Sequence, residues 1–385
     1  MLDSFIGAAL SIVVPLLMLD KKVDLATIGV VSSIMPLVFT SLRVMFASLA
    51  DQAGLKFFFI LDCLSSAAAS LIYSVSSTGN MFLNGKVMEG ARNASFWSVD
   101  RTAIFEESAT LADREKNAAS LSAIRTFGTA AGTILAGIGI MYFSFANILI
   151  GIAVLSLALL IPVLGMKNHL HKRPDIFTTL KQVDVRNKHP LIWKAGIAMS
   201  FYGIANALVI SFVLPIFLRS SINLDYGSIG FLFAAYYLVD ASATYFAIKS
   251  RIPFPKLAVI QSILFCVAAM LLPFASSFAQ VLLLLVILAI GDGFSAIFFE
   301  SIIADATKGS PTISTDVGLI HVPYHVSIFI TLFSAGFIAQ TFGFQGVFWL
   351  AALAFSICSL LSLAFVNHET VRVVFFNWLL RKRVN

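Results

Sequence analysis

The sequence predicts an all-α membrane protein, with twelve transmembrane helices in two pseudo-symmetric six-helix bundles. Three observations lead there. Of 385 residues, 59% are hydrophobic and 12% charged, and the mean hydropathy is +0.92; a soluble domain carries about 25% charged residues. Apolar runs of the roughly 20 residues needed to cross a bilayer recur along the whole chain. Features also return 200 positions on: Ser11, Val13 and Pro15 as Ser211, Val213 and Pro215, Ser95 as Ser295, and Asp100 as Glu300. Thr27-Ile28-Gly29 returns one place later, as Ser228-Ile229-Gly230.

Taken in order, the spans are expected at about 4–20, 26–46, 58–76, 81–104, 119–142, 145–165, 191–218, 226–248, 257–275, 278–305, 317–341 and 344–366, with ends uncertain by about two to four residues. The first run opens without a basic stretch and meets no small-residue cleavage site before Asp20-Lys21-Lys22. It therefore reads as a span, not a removed leader. The organisation is a bundle over 1–166, a central loop over 167–190, a second bundle over 191–366 and a tail over 367–385. The central loop is basic and polar, with His169, His171, Lys172, Arg173 and Lys188. The tail sets Trp378 and apolar clusters beside Arg381, Lys382 and Arg383, the pattern of an interfacial helix.

The net charge of +6 comes from the loops and is not a nucleic-acid signal. With both termini inside, the outer loops carry only Lys21, Lys22 and Arg219, while most of the 26 Lys and Arg fall on the inner side. Positive loops stay in the cytoplasm, so both termini are expected there, in a multi-pass plasma-membrane protein of a prokaryote. Cys63, Cys266 and Cys358 sit inside spans with no spacing that suggests a disulfide or a metal. A G-x-x-x-x-G-K-S/T phosphate loop is missing, and no cofactor is expected. The chain is read as a monomer.

The loop after the second span reads Ala47-Ser48-Leu49-Ala50-Asp51-Gln52-Ala53-Gly54-Leu55-Lys56. Gly54 permits a tight turn. The stretch resembles the signature loop of the major facilitator superfamily, G-x-L-a-D-r-x-G-r-K/R, through Leu49, Asp51, Gly54 and Lys56. Ala47, Gln52 and Leu55 depart from it. The resemblance implies a gate between the halves at the inner side, built with Asp51, Gly54 and Lys56, and joined by Asp100 and Glu300 near inner helix ends. In span 4, Gly85-Lys86-Val87-Met88-Glu89-Gly90 resembles the g-R-x-x-q-G stretch that proton-coupled members use, with Lys86 and Glu89 in place of Arg and Gln. Span 5 carries Gly128, Gly132 and Gly137, which favour close helix packing.

Charge at bilayer depth is costly and marks function by default. Glu89, Asn93, Phe96 and Asp100 share one face of span 4, with Arg92 beside them; Asp292 holds the equivalent place in span 10. In the resembled fold these spans line the central cavity, so Arg92 and Asp292 are expected to face each other across it. The bland reading is a Glu89–Arg92 bridge on one helix and a kink at Gly291-Asp292-Gly293. Asp240 lies mid-span in helix 8, after Tyr236 and Tyr237. Phe96, Trp97, Tyr202 and Tyr236 are expected to line the cavity. His321 and His325 sit i, i+4, as a metal site, proton relay or pH-sensitive gate needs.

The resemblance implies a secondary transporter working by alternating access, and no enzyme. Glu89, Arg92, Asn93, Asp292, Asp240 and Lys86 are the candidates for substrate and ion coupling. Proton-coupled export of small organic or amphipathic compounds is the first expectation. Uptake or exchange of an organic anion anchored by Arg92 is the second; a divalent-metal carrier and a non-transporting receptor stand further off.

Overall fold

The computed structural model describes residues 1–107, 111–166, 190–250, 252–306 and 313–365, and among them the only regular structure is helical. The tail and all of the central loop except Pro190 lie outside the described residues. The helices in order are α1 (Leu2–Asp20), α2 (Leu25–Ala53), α3 (Leu55–Val75), α4 (Gly79–Glu107), α5 (Leu111–Tyr142), α6 (Phe145–Ala158), α7 (Leu160–Gly165), α8 (Pro190–Val209), α9 (Val213–Ser220), α10 (Tyr226–Lys249), α11 (Phe254–Leu271), α12 (Phe278–Ala306) and α13 (Ile313–Phe365). Ten stretches are long and apolar enough to cross a membrane; one of these, Gly318–Ala364, is 47 residues long.

Two of the expected spans divide, and the expected boundary between the last two falls at a break. The stretch 145–165 divides at Leu159, because Pro162 has no N–H for the carbonyl of Ala158. The stretch 191–218 divides between Val209 and Val213, where Pro215 likewise leaves Ser211 without a donor. In α13 the residue Gly343 (φ 71, ψ 176) breaks the helical path and separates two arms. The helix α4 is missing from the ten apolar stretches, as Lys86, Glu89, Arg92 and Asp100 on it dilute its apolar character.

Before the central loop, α1 packs on α5, α2 on α4, and α3 on α4 and α6. After it, α8 packs on α13, α10 on α12, and α11 on α12 and α13. The halves join along two seams, α2 against α13 and α5 against α10. The seams repeat each other. Gly29 meets α13 so closely that a Cβ there would stand 2.8 Å from the Leu332 carbonyl and 2.9 Å from the Gly336 nitrogen. Its counterpart Gly230 meets α5, where a Cβ would stand 2.6 Å from the Thr133 carbonyl. A Cβ on Gly336 would strike the Leu25 carbonyl, and one on Gly137 the Tyr226 carbonyl. Leu25 and Tyr226 are the first residues of α2 and α10.

The turns before these helices repeat too. Lys22 and Asn223 both adopt positive φ, 58° and 60°. Asp24 accepts from the Thr27 N–H (2.9 Å) and hydroxyl (2.6 Å); Asp225 accepts from the Ser228 N–H (2.8 Å) and hydroxyl (2.6 Å). The hydroxyl first, then the backbone donor, holds each carboxyl below the usual carboxylate range. The internal repeat is thus present in three dimensions, at an offset of 201 positions here.

The glycine contacts of both seams sit toward the end remote from Met1. There Leu10, Ile12, Val14 and Leu16 of α1 join Leu208, Val213, Leu214 and Phe217 of α8 and α9 in one buried apolar cluster. The far end is closed by this cluster and the two glycine seams.

Candidate functional site

The polar groups of α4 are used inside its own half. Gly85 leaves room for the ring of Tyr73 from α3, which a Cβ would strike. The Tyr73 hydroxyl donates to Glu89 at 2.7 Å, and Lys86 reaches the same carboxylate at 2.8 Å. Gly90, on the other side, lets α2 approach; a Cβ there would lie 2.7 Å from Val38 and 2.9 Å from the Met35 carbonyl. Each residue of the Gly85–Gly90 pattern that sequence singled out therefore has a local task. Glu89 pairs with Lys86, and the Glu89–Arg92 bridge of the bland reading is absent from the ion pairs of the described residues.

Arg92 turns toward α1 and α3. Its Nη2 donates to the Asp3 carboxylate in a very short contact and to the Asp3 carbonyl at 2.8 Å. Its Nε stands 3.6 Å from Asp62 Oδ1, and its Nη1 reaches Asn93 Oδ1 at 3.3 Å. Gly7 makes this possible, since a Cβ there would sit 3.0 Å from Nη1. Arg92 and Asp292 do not meet as expected: among the described residues no ion pair links them. Helix rotation explains the difference, because a long side chain leaves the axis toward whichever neighbour compensates it.

Asp292 is 6% exposed and sits in a cage of neutral donors. Asn206 of α8 donates at 3.1 Å, and the Tyr236 hydroxyl of α10 makes a very short bond. Ser295 lies 3.5 Å away and donates to the Asp292 carbonyl at 2.6 Å. No Lys or Arg pairs with this carboxyl among the described residues. The flanking glycines do not kink α12, which runs unbroken from Phe278 to Ala306. Gly291 admits α11, with Phe265 N 2.8 Å from its ideal Cβ, and Gly293 admits the Asp240 carbonyl of α10. Asp240 is thereby placed one turn beyond Tyr236, beside the cage.

The aromatic expectations divide. Trp97 is 43% exposed and packs edge-on to Phe96, with the Arg125 guanidinium 4.8 Å above the Trp97 ring and 5.4 Å above Phe96. Tyr202 packs among Tyr324, Phe299 and Phe355 in the second half. Tyr236 is buried and donates to Asp292.

One polar contact joins the halves at the other end of the α2–α13 seam. Arg43 Nη1 lies 3.4 Å from His325 Nε2, over Phe39, and His325 stacks 6.2 Å from His321. A guanidinium so near the imidazole opposes a metal cation there. Gly54 takes the positive φ of 83° that the loop turn needs. Lys56 is not a contact between halves: its Nζ donates to the carbonyls of Leu164 (2.6 Å) and Met166 (3.1 Å) at the end of α7. The side chains of Asp51, Asp100 and Glu300 lie outside the described residues.

Sequence reasoning named Arg92, Glu89 and Asp292 but missed Asp3, Asp62, Tyr73, Asn206 and Arg43 as partners. Asp62 carried the same signal as Asp292, an acid within an apolar run.

A family model described as Major Facilitator Superfamily matches residues 1–247 and 195–375. No curated protein matches the chain. Among solved structures, a mutant of the nucleoside transporter NupG is similar at a TM-score of 0.77 and 14% identity, over 95% of this chain and 97% of that one.

Proposed function

Because the chain belongs to the Major Facilitator Superfamily, and is by that membership a multi-pass secondary transporter and not an enzyme, we propose that it couples proton movement to export of small organic or amphipathic compounds. Twelve spans carry out the cycle: the ten apolar stretches, with the 47-residue one counted as two at Gly343, and α4. Two six-helix bundles rock about the midplane, as parallel repeats allow. With the termini in the cytoplasm, the far end is the outer one.

One observation supports the coupling above all: Asp292 is a buried carboxyl held by neutral donors, with no Lys or Arg paired to it among the described residues. A buried unpaired carboxylate is costly, and a proton or a ligand relieves that cost. Asp292 is the coupling residue in this reading, with Asn206 and Tyr236 orienting it and Asp240 beside it. Glu89 and Lys86 neutralise each other and take a structural part. The aromatic groups Phe96, Trp97 and Tyr202 offer apolar surface to an organic substrate. The organic-anion alternative loses its support, since two carboxylates already engage Arg92.

Proton exchange by the purified protein in detergent, during addition of drugs, organic anions and nucleosides, tests this. A ligand that displaces protons from the wild type but not from Asp292→Asn is the expected result. Ligand binding with no proton exchange in the wild type sinks the coupling.

A further inference from the structure

Two carboxyl groups of the first half share one guanidinium. Lys86 is matched by Glu89 at 2.8 Å. Arg92 is left with both Asp3 and Asp62. One guanidinium cannot neutralise two carboxylates, and its present geometry is unequal. Asp3 receives two donations from Nη2, one to its side chain and one to its carbonyl. Asp62 Oδ1 faces Nε at 3.6 Å, too far for a hydrogen bond. Both of those atoms are buried and have no hydrogen-bond partner. The charged groups acting on Asp62 are Asp3 of α1 and Arg92 of α4. Of the other helices packed on α3, α6 and α7 carry no titratable side chain, and Arg43 of α2 reaches His325.

A surplus buried acid, aimed at a cation it does not quite reach, is the arrangement of a site waiting to lose or gain a proton. We propose that Asp62 is a second proton-binding site, and that Arg92 passes between Asp3 and Asp62 as the proton leaves and returns. In the described state Asp62 holds the proton and Arg92 holds Asp3. When Arg92 shifts to Asp62, the Asp62 proton departs and Asp3, now without its cation, takes one up. Charge is conserved within the cluster. Accessibility gives the route, because side-chain exposure rises from 4% at Arg92 and 6% at Asp62 to 18% at Asp3. Asp3 lies in the first turn of α1, so the exchange opens toward the end that carries Met1.

The site is read from geometry independently of Asp292; only its part in the transport cycle rests on the proton-linked reading. Infrared spectroscopy of the purified protein, labelled with 13C-aspartate and without added substrate, tests it. At neutral pH the wild type is expected to show a protonated aspartyl carbonyl band that Asp62→Asn removes. Asp3→Asn is expected to remove the same band, because Arg92 then belongs to Asp62 alone and keeps it ionised. Asp292→Asn should leave that band in place, so either proposal fails without the other. A spectrum in which Asp62→Asn removes no band overturns the proposal. So does a band that vanishes in Asp62→Asn but survives in Asp3→Asn, which reduces Asp62 to a fixed neutral group.

Discussion

At the scale of single residues, Lys86, Glu89 and Arg92 each turn to an oppositely charged neighbour within their own half. Arg92 turns to Asp3 and Asp62 within its half and not across to Asp292. Its place on a helix flanked by apolar runs was legible in the sequence. Rotation about the helix axis was not, since a few tens of degrees decide which neighbour a guanidinium meets and composition carries no such information. Gly7 shows how tight the result is. A methyl group there stands 3.0 Å from Arg92 Nη1 and 3.3 Å from Nη2. Gly7→Ala is expected to destabilise the protein by about 1–3 kcal/mol, as overpacking of a filled interior does. A thermal melt in detergent reads this out; an unchanged midpoint means that Arg92 moves aside freely. Tyr236→Phe removes a donor from the Asp292 cage while keeping the ring. It should alter the pH dependence of ligand-driven proton exchange and leave the fold intact, which circular dichroism confirms or refutes.

At the scale of elements, helix starts and breaks were read unevenly. The prolines at 162 and 215 sat inside expected spans, and the backbone divides near both, as their missing donors require. The sequence placed a helix at α4 although its charges dilute its apolar character, because the pattern of apolar residues continues around them. The repeated caps of α2 and α10 were visible only as the Thr27-Ile28-Gly29 and Ser228-Ile229-Gly230 match. Loss of such a cap costs about 0.5–2 kcal/mol. Both capping carboxyls sit below the usual carboxylate range when folded. Their contribution is therefore complete above the unfolded carboxylate value and fades as pH falls through the folded one. The double variant Asp24→Ala with Asp225→Ala should melt lower than wild type at neutral pH, and the gap should narrow as the solution is acidified toward about pH 3. A gap that stays constant with pH assigns the loss to something other than these carboxylates.

At the scale of the whole molecule, the two halves are held by the same device used twice. Gly29 with Gly336 and Gly230 with Gly137 bring backbones together at the far end, where side chains would separate them. The 200-residue echo in sequence foretold the repeat. It did not foretell that α2 and α10 would carry the seams, because glycines on several helices offered equal reasons for close packing. Gly336→Ala with Gly137→Ala should wedge both seams and shift the population away from far-end closure. Spin labels at positions 22 and 221, on opposite halves, should report longer and broader distances than in the unwedged protein. An unchanged distribution means that the apolar cluster of α1, α8 and α9 closes that end by itself.

The glycine seams also bear on how often the closed end can be remade. A side chain freezes rotamers each time an interface forms, up to about 2 kcal/mol for a long one, whereas glycine has none to freeze. Backbone meeting backbone has one way to fit. Each reclosure therefore returns to the same register without a search, and wear on the cycle falls elsewhere, on the apolar side chains that must find their places again.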